Sequence, residues 1–245
     1  MYQFFVEDSS VQGDKIVIAG SDVNHITNVL RMKQGEKIRV SDESGRAYFC
    51  HVEEFFSDEV WAVIDETDEK GTELDNRIIL YQGLPKGDKM ELIIQKAVEL
   101  GVAEVTPVAM KNCVMKLDEK KVEKKIARWQ AIAESAAKQS KRTVIPKINK
   151  PLSYKLAIEE AKQLDTVLVP YENERGMEAT RQIMGDLKKE QSIGIFVGPE
   201  GGFAPAEIEL ADSCGMHRIS LGRRILRTET AGLATLAMLV FCLDS

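Results

Sequence analysis

Residues 193–231 contain two turns rich in glycine, of which the first reads Ile193-Gly194-Ile195-Phe196-Val197-Gly198-Pro199-Glu200-Gly201-Gly202-Phe203. The second reads Leu221-Gly222-Arg223-Arg224-Ile225-Leu226-Arg227-Thr228-Glu229-Thr230-Ala231. An apolar, β-prone run that stops at a glycine-proline pair is typical of a buried strand ending in a tight turn with exposed backbone amides. One such turn is most simply a structural connection. Two of them favour a ligand site, because strand ends in an open α/β sheet converge on one crevice.

The remainder of residues 77–245 alternates strand and helix patterns. Strands are predicted over residues 77–84, 104–108, 144–148, 165–169 and 217–221. Helices are predicted over residues 90–98, 120–139, 154–164, 204–214 and 228–243, and the segment ending at Lys189 is also predicted to be helical. This alternation indicates an α/β fold with a mostly parallel sheet and helices on both faces. Neither glycine turn has the spacing of a dinucleotide-binding or Walker loop.

Residues 1–69 have a different pattern, with short strand-like runs separated by turn signals. The runs cover residues 3–6, 15–19, 37–40, 47–53 and 60–64, with one helix predicted from Val23 to Leu30. The polar segment Thr67–Asn76 marks a domain boundary. We therefore predict a small β-barrel domain over residues 1–70 and an α/β domain over residues 71–245.

Charge is distributed unevenly along the chain. The formal net charge is −6, with 33 Lys and Arg against 39 Asp and Glu, which argues against a protein that coats nucleic acid indiscriminately. Residues 1–70 carry seven basic and fifteen acidic side chains, whereas Lys111–Lys147 carries eleven basic and four acidic. The basic run fits a local RNA-binding patch or a solvated helix face equally well. Cys50, Cys113, Cys214 and Cys242 form no CxxC pair, so neither a metal site nor a disulfide framework is expected.

Four motifs, in order along the chain, resemble the 16S ribosomal RNA uridine N3-methyltransferases, the small subunit methyltransferase E family of the SPOUT superfamily. Two are the glycine turns. The others are His25-Ile26-Thr27-Asn28-Val29-Leu30-Arg31 and Glu134-Ser135-Ala136-Ala137-Lys138-Gln139-Ser140-Lys141-Arg142. Lys141 departs from the pattern, since family members usually have a glycine there.

The resemblance implies a SPOUT fold with a C-terminal trefoil knot, a PUA-like N-terminal barrel and a homodimer that packs through the knot. It also implies S-adenosylmethionine as methyl donor, with no metal. The implied cofactor-binding residues are Leu168, Val169, Pro170, Gly198, Pro199, Glu200, Gly201, Leu221, Gly222, Ile225, Leu226 and Arg227. The implied RNA contacts are His25, Arg31, Lys138 and Arg142, and for the first two a structural role is about as plausible from the residues alone.

Methylation of uracil N3 requires removal of its proton and access to an unpaired base. Arg227 is the candidate for stabilising a uridine carbonyl or a phosphate, because its guanidinium stays charged at every relevant pH. Glu229 and Glu200 are the candidate bases. A glutamate at a helix start also serves as a cap or a dipole partner, and Glu229 fits that role.

The leading hypothesis is therefore an S-adenosylmethionine-dependent methyltransferase that makes 3-methyluridine in 16S rRNA of the small ribosomal subunit. An alternative keeps the fold and methylates a ribose 2′-OH or another base, and a second is a non-catalytic RNA-binding assembly factor. The acidic barrel predicts a structured ribonucleoprotein substrate in preference to free RNA. No apolar run approaches the ~20 residues of a membrane span, and the N-terminus lacks a basic signal-peptide start, so a cytoplasmic location is expected.

Overall fold

The computed structural model describes residues 1–69, 71–115 and 119–244, without the side chains of 119–121. Lys70, the last residue of the predicted first domain, therefore lies outside the described residues, as does the side chain of Lys121 on the predicted basic helix face. The chain divides into two compact units. The first comprises Met1–Glu73 and Ala137–Ile145, and the second comprises Leu74–Ala136 and Pro146–Ser245.

The first unit is a six-stranded sheet around its own core. Its strands are β1 (Tyr2–Phe5), β2 (Val11–Gln12), β3 (Lys15–Ala19), β4 (Lys37–Ser41), β5 (Ala47–Phe55) and β6 (Glu59–Asp68), in the order β1-β4-β5-β6-β3-β2. Helix α1 (Ser21–Asn24) continues into a π-helical turn, His25–Val29, where one helix was predicted. The alternating apolar positions of β3 to β6 point inward, and Phe4, Ile16, Ile26, Ile38 and Val60 are fully buried.

Residues 137–145 belong to the first unit, although the sequence assigned them to the second domain. The reason is a set of polar contacts to residues far away in sequence. Arg142 forms an ion pair with Glu73, and the Gln3 side-chain amide donates to the Arg142 carbonyl. The amides of Thr143 and Val144 donate to Glu73 Oε1, at 2.9 and 3.3 Å. Since these amides are engaged by a side chain, the strand predicted over 144–148 begins only at Lys147.

The second unit is a parallel sheet of seven strands. They are β7 (Arg77–Gly83), β8 (Glu104–Ala109), β9 (Lys147–Ile148), β10 (Leu152–Ser153), β11 (Thr166–Pro170), β12 (Ser192–Val197) and β13 (His217–Ile219). The order is β10-β8-β7-β12-β11-β13, with β9 paired to β8. The connecting helices are α2 (Lys89–Glu99), α3 (Glu119–Ser140), α4 (Tyr154–Ala161), α5 (Glu178–Asp186), α6 (Pro205–Ser213) and α7 (Thr228–Leu243). The predicted α/β fold with a mostly parallel sheet is confirmed.

Helices cover both faces of this sheet. Residues of α4 and α6 join a buried cluster with alternate residues of β7 and β11 and with Phe196 of β12. The rings of Tyr81 and Phe196 stack there with centroids 4.5 Å apart. Helix α7 packs on α2, β12 and β11. Its Gly232 faces Leu80 and Val197, and an added Cβ there would lie at ordinary contact distance from both side chains. The apolar composition of α7 thus follows from contacts on several sides. No helix among the described residues is long and apolar enough to cross a bilayer.

Candidate active site

The two glycine turns follow β12 and β13, the parallel strands on either side of β11, and they meet at the carboxyl ends of these strands, as expected from the topology. Together with the loop after β11 they enclose a pocket of about 350 Å³. Its wall combines glycine backbone with apolar side chains and a few charged groups, and it includes Pro170, Tyr171, Val197, Gly198, Phe203, Leu221, Leu226 and Ala231. Apolar walls with sparse polar groups are typical of small-molecule sites of this size.

Glycine is required in this region because backbone segments approach one another without space for a side chain. A Cβ on Gly83, at the end of β7, would lie 2.7 Å from the backbone nitrogen of Pro199. A Cβ on Gly201 would lie 2.9 Å from Asn112 Cβ, whose side-chain amide donates to the carbonyls of Gly201 and Gly202 at 3.0 and 3.1 Å. The first glycine turn is therefore fixed from two sides.

Buried hydroxyl groups hold the pocket loops in place. Thr228 Oγ1 donates to the Gly198 carbonyl at 2.6 Å and accepts a hydrogen bond from Gln82 Nε2 at 2.8 Å. On the other side, Thr180 Oγ1 donates to the Ser220 carbonyl at 3.2 Å and accepts from the Ser220 amide at 2.9 Å. These bonds position the start of α7 and the entry to the second glycine turn, which itself bends at Gly222 with φ +102°.

A lysine and two glutamates form a charged cluster beside the pocket. Lys89 Nζ, at the start of α2, lies 2.8 Å from Glu200 Oε1 and 3.5 Å from Glu229 Oε2. Burial raises the pKa of Glu200, but hydrogen bonds from Lys89 and from backbone amides, including that of Lys86, outweigh it and the net pKa is lowered. Glu229 Oε2 is buried and has no hydrogen-bond partner among the described residues. Lys89 therefore contacts both glutamates, and Glu200 receives an additional backbone donor.

Three arginines lie on the second glycine turn. Arg223, Arg224 and Arg227 line the pocket and are exposed, and no ion pair is formed by any of them within the described part of the chain. Elsewhere arginines are commonly paired, as Arg77 is with Glu104 and Arg128 with Glu91. This turn therefore presents unpaired positive charge at the pocket wall.

Most of the residues predicted to bind the cofactor line this pocket. They are Pro170, Gly198, Pro199, Glu200, Leu221, Gly222, Ile225, Leu226 and Arg227. Leu168 and Val169 are instead buried in β11, and Gly201 contacts Asn112 outside the pocket. Lys89 was not predicted as a site residue from the sequence. It follows the turn after the buried parallel strand β7, and strand ends of this kind converge on the same crevice as the glycine turns.

The predicted RNA-binding residues fall into two groups within the first unit. His25 and Arg31 are exposed on the π-helical turn and just after it. Lys138 Nζ, in contrast, lies 3.1 Å from Asp22 Oδ1, and the side chain of Arg142 is only 6% exposed in its ion pair with Glu73. The first pair is positioned to meet a ligand from solvent, while the second pair stabilises the unit.

Two family models match this chain. An RNA methyltransferase domain matches residues 72–240, and an RNA methyltransferase PUA domain matches residues 18–64. The second match agrees with the predicted PUA-like character of the N-terminal module.

Relatives of known designation cover nearly the whole chain. Ribosomal RNA small subunit methyltransferase E of Bacillus subtilis is 36% identical over 98% of this chain and 96% of its own length. The enzyme of the same designation in Mesomycoplasma hyopneumoniae is 34% identical, over 95% of this chain and 96% of its own. The crystal structure of a ribosomal RNA small subunit methyltransferase E from Neisseria gonorrhoeae, bound to S-adenosyl methionine, superposes with TM-score 0.84 at 30% identity, covering 98% of this chain and 97% of that one.

Proposed function

This chain belongs to the ribosomal RNA small subunit methyltransferase E family, and from that premise we propose that it methylates N3 of a uridine in 16S rRNA of the small ribosomal subunit with S-adenosylmethionine as donor. The observation that carries the proposal is the pocket in which the two glycine turns and the loop after β11 meet. Family membership supports the rRNA substrate, and the motifs in the sequence support the uridine N3 acceptor.

The pocket fits the donor by its chemistry. Adenine needs an apolar slot with backbone donors and acceptors at its edge, and glycine turns supply backbone that a ligand can approach closely. Phe203, Leu226 and Ala231 provide apolar wall, and the carboxylates of Glu172 and Glu200 provide negative charge for a sulfonium or an ammonium group. When bound, S-adenosylmethionine would supply an electrophilic methyl group.

The chain's own residues then have three tasks. The pocket must align the methyl carbon with N3 along the line of displacement. Glu200 and Glu229 are the candidate acceptors for the N3 proton, and the Lys89 ammonium group contacts both carboxylates. The N3 electron pair forms the new bond to carbon while the carbon–sulfur bond breaks and its electrons stay on sulfur. Arg227 stabilises the negative charge that develops on the uracil carbonyl oxygens.

We also propose a homodimer that packs through the C-terminal region and its trefoil knot. An apolar groove between α5 and α7 supports it, lined by Met177, Thr180, Met184, Ala237, Met238 and Phe241. Phe241 is 90% exposed, which is unfavourable for a large aromatic side chain unless a second copy covers it. Phe241→Glu should shift the protein from dimer to monomer in analytical ultracentrifugation, whereas an unchanged sedimentation coefficient would contradict this interface.

The RNA is expected to meet the exposed His25 and Arg31 as well as the arginines of the second glycine turn. The net charge of −6 limits binding to these local patches, so we propose the assembled small subunit in the cytoplasm as the substrate. Equal methylation rates on protein-free 16S rRNA and on small subunits at the same salt would contradict that substrate.

The decisive experiment is methyl transfer from labelled S-adenosylmethionine to small subunits that lack the modification, followed by nucleoside digestion and mass analysis. Label in 3-methyluridine is expected. Label in a 2′-O-methylated nucleoside or in another base would contradict uridine N3 as the acceptor. Donor binding without any label would indicate a wrong substrate or assembly stage, and no donor binding at all would favour the assembly-factor alternative.

A further inference from the structure

We propose that Lys86 and Lys111 bind phosphate groups of the RNA beside the pocket. Together with Arg223 and Arg224 they form a cation rim that holds the RNA strand next to the methylated uridine. This inference rests on the proposed function, because it takes RNA as the substrate presented to this pocket. It adds two lysines that do not line the pocket itself and that lie on the turns after β7 and β8.

Both lysines belong to turns that are hydrogen-bonded to the first glycine turn or to the residue that follows it. The Lys86 amide donates to Glu200 Oε1 at 3.1 Å, and Glu200 lines the pocket. The Lys111 amide donates to Glu207 Oε1 at 2.8 Å. The amide of Ala204, directly after the glycine turn, donates to the other oxygen of the same carboxylate, also at 2.8 Å. These bonds hold the two lysines beside one wall of the pocket.

The main chain makes these contacts, so the ammonium groups of the two lysines remain available. Lys86 and Lys111 are exposed, and neither forms an ion pair within the described part of the chain. The two carboxylates beside them are already engaged. Glu200 pairs with Lys89 at 2.8 Å, and Glu207 accepts the two backbone amides just described. Both lysines therefore offer uncompensated positive charge to solvent.

Positive charge is concentrated at the edge of the sheet where the pocket lies, although the whole chain has a net charge of −6. The turns after β7, β8 and β13 carry five basic side chains and one acidic one, a local net charge of +4, over residues 84–88, 110–115 and 220–227. Turns at the opposite edge, before β7, β11 and β12, carry three basic and three acidic side chains over residues 74–76, 162–165 and 187–191. The rim is thus a local basic patch on an acidic protein.

Other carboxylates near the pocket do not cancel this charge. In the loop after β11, Glu174 pairs with Arg218 at 3.4 Å, whereas Glu172 lines the pocket wall. An RNA strand carries one negative charge per nucleotide, and exposed lysines and arginines that neutralise its phosphates release bound counterions. The partner whose charge and repeat fit several separate cations around one pocket is therefore a nucleic acid backbone.

The test uses the double variant Lys86→Gln/Lys111→Gln, with Lys162→Gln/Lys188→Gln as matched control. The control removes the same charge from turns at the opposite edge of the sheet. Donor affinity is measured by calorimetry, and kcat and KM are measured on small subunits that lack the modification. Binding to the same subunits is followed by co-sedimentation at increasing monovalent salt and constant magnesium.

We expect Lys86→Gln/Lys111→Gln to raise KM for small subunits about 5–30-fold, the effect of losing two exposed charge contacts, with kcat and donor affinity unchanged. Each lost phosphate contact removes about 0.7–0.9 from the slope of log affinity against log salt, so the slope should become shallower by about 1.4–1.8. Lys86→Arg/Lys111→Arg keeps both charges and should match wild type, as should the control.

Arg223→Gln/Arg224→Gln examines the other part of the rim. We expect the same pattern, a higher KM and a shallower salt dependence with unchanged donor affinity. These arginines line the pocket, so a loss of donor affinity in this variant would assign them to the donor and would contradict their place in the rim.

Three results would overturn the assignment of the two lysines. The first is a Lys86→Gln/Lys111→Gln enzyme with wild-type KM and wild-type salt dependence. The second is an equal change in the control, which would make net charge the cause. The third is a parallel loss of donor affinity, which would indicate a disturbed pocket. Failure of the proposed function has a different signature: wild type would label a nucleoside other than 3-methyluridine or none, while co-sedimentation, which needs no turnover, would still test the rim.

Discussion

Thr228 Oγ1 donates a 2.6 Å hydrogen bond to the carbonyl of Gly198, thirty residues earlier in the chain. The bond is buried and connects the start of α7 to the first residue of the glycine turn after β12. Because Gln82 donates to the same hydroxyl at 2.8 Å, a strand, a turn and a helix share one oxygen atom. This single group therefore fixes the relative positions of two walls of the pocket.

Replacing Thr228 with valine removes the hydroxyl while keeping the shape of the side chain. The Gly198 carbonyl is then left buried without its donor, which should lower the free energy of unfolding by about 1–3 kcal/mol. Donor affinity should fall as well, since the glycine turn loses its anchor. Urea unfolding and calorimetric titration would measure both effects. Thr228→Ser retains the hydroxyl and should behave like wild type; a valine variant with unchanged donor affinity would show that the anchor is dispensable.

Arg227 is expected to act on the reaction and not on the binding of the donor. Arg227→Gln should lower kcat by about 10²–10³, the loss typical of removing one preorganised group that stabilises developing charge. Calorimetry should give a donor dissociation constant close to that of wild type. Arg175→Gln is the control, because Arg175 is an exposed arginine outside the pocket. If Arg227→Gln loses donor affinity and rate in parallel, the Arg227 guanidinium group instead contributes to binding of the cofactor.

Gly83 should not tolerate a side chain. In Gly83→Ala the new methyl group would lie 2.7 Å from the Pro199 backbone nitrogen. Because the contact is with backbone, relieving it requires a shift of the main chain. We expect about 1–3 kcal/mol of destabilisation, with weaker donor binding because the glycine turn is displaced. Gly185→Ala in α5 is the matched control: its methyl group has no atom within 4 Å and should leave stability unchanged or raise it. Similar unfolding midpoints for both variants would contradict the close approach.

Asp42 should make stability depend on pH in the acid range. Burial raises the pKa of Asp42, but hydrogen bonds from the Ser44 and Tyr48 hydroxyls and the Arg46 amide outweigh it, so the net pKa lies below the ordinary 3.8. A carboxyl group whose pKa is lowered by folding stabilises the protein above its unfolded pKa, and this contribution disappears as the pH falls through the folded pKa.

Asp42→Asn should accordingly destabilise the protein at pH 7, and the difference from wild type should shrink as the pH falls below about 4. Urea unfolding of both proteins across this range would measure it, with the exposed Asp186→Asn as control. If the difference in unfolding free energy between Asp42→Asn and wild type stays constant from neutral to acid pH, Asp42 is not the source of the pH-dependent stability.

Some features escaped the sequence analysis because they depend on contacts between distant residues. Lys141 has φ +64°, the left-handed conformation that glycine adopts most easily, which accounts for the glycine usual at that position in the family. Its Nζ donates to the Met1 carbonyl at 2.7 Å, a contact that no local pattern encodes. Arg142 illustrates the same limit: its charge suggested an RNA contact, but its partner Glu73 lies 69 residues away.

The sequence by itself determined the elements, the alternation of strands and helices, and the position of the glycine turns, because these follow from local periodicity and from the backbone freedom of glycine. Through parallel topology it also predicted that the turns would meet. Only the tertiary structure decided which charges are paired, since ion pairing depends on distances of a few ångströms between residues far apart in the chain. It thereby showed that Lys89 contacts both Glu200 and Glu229, and it separated the buried Arg142 from the exposed Arg223 and Arg224.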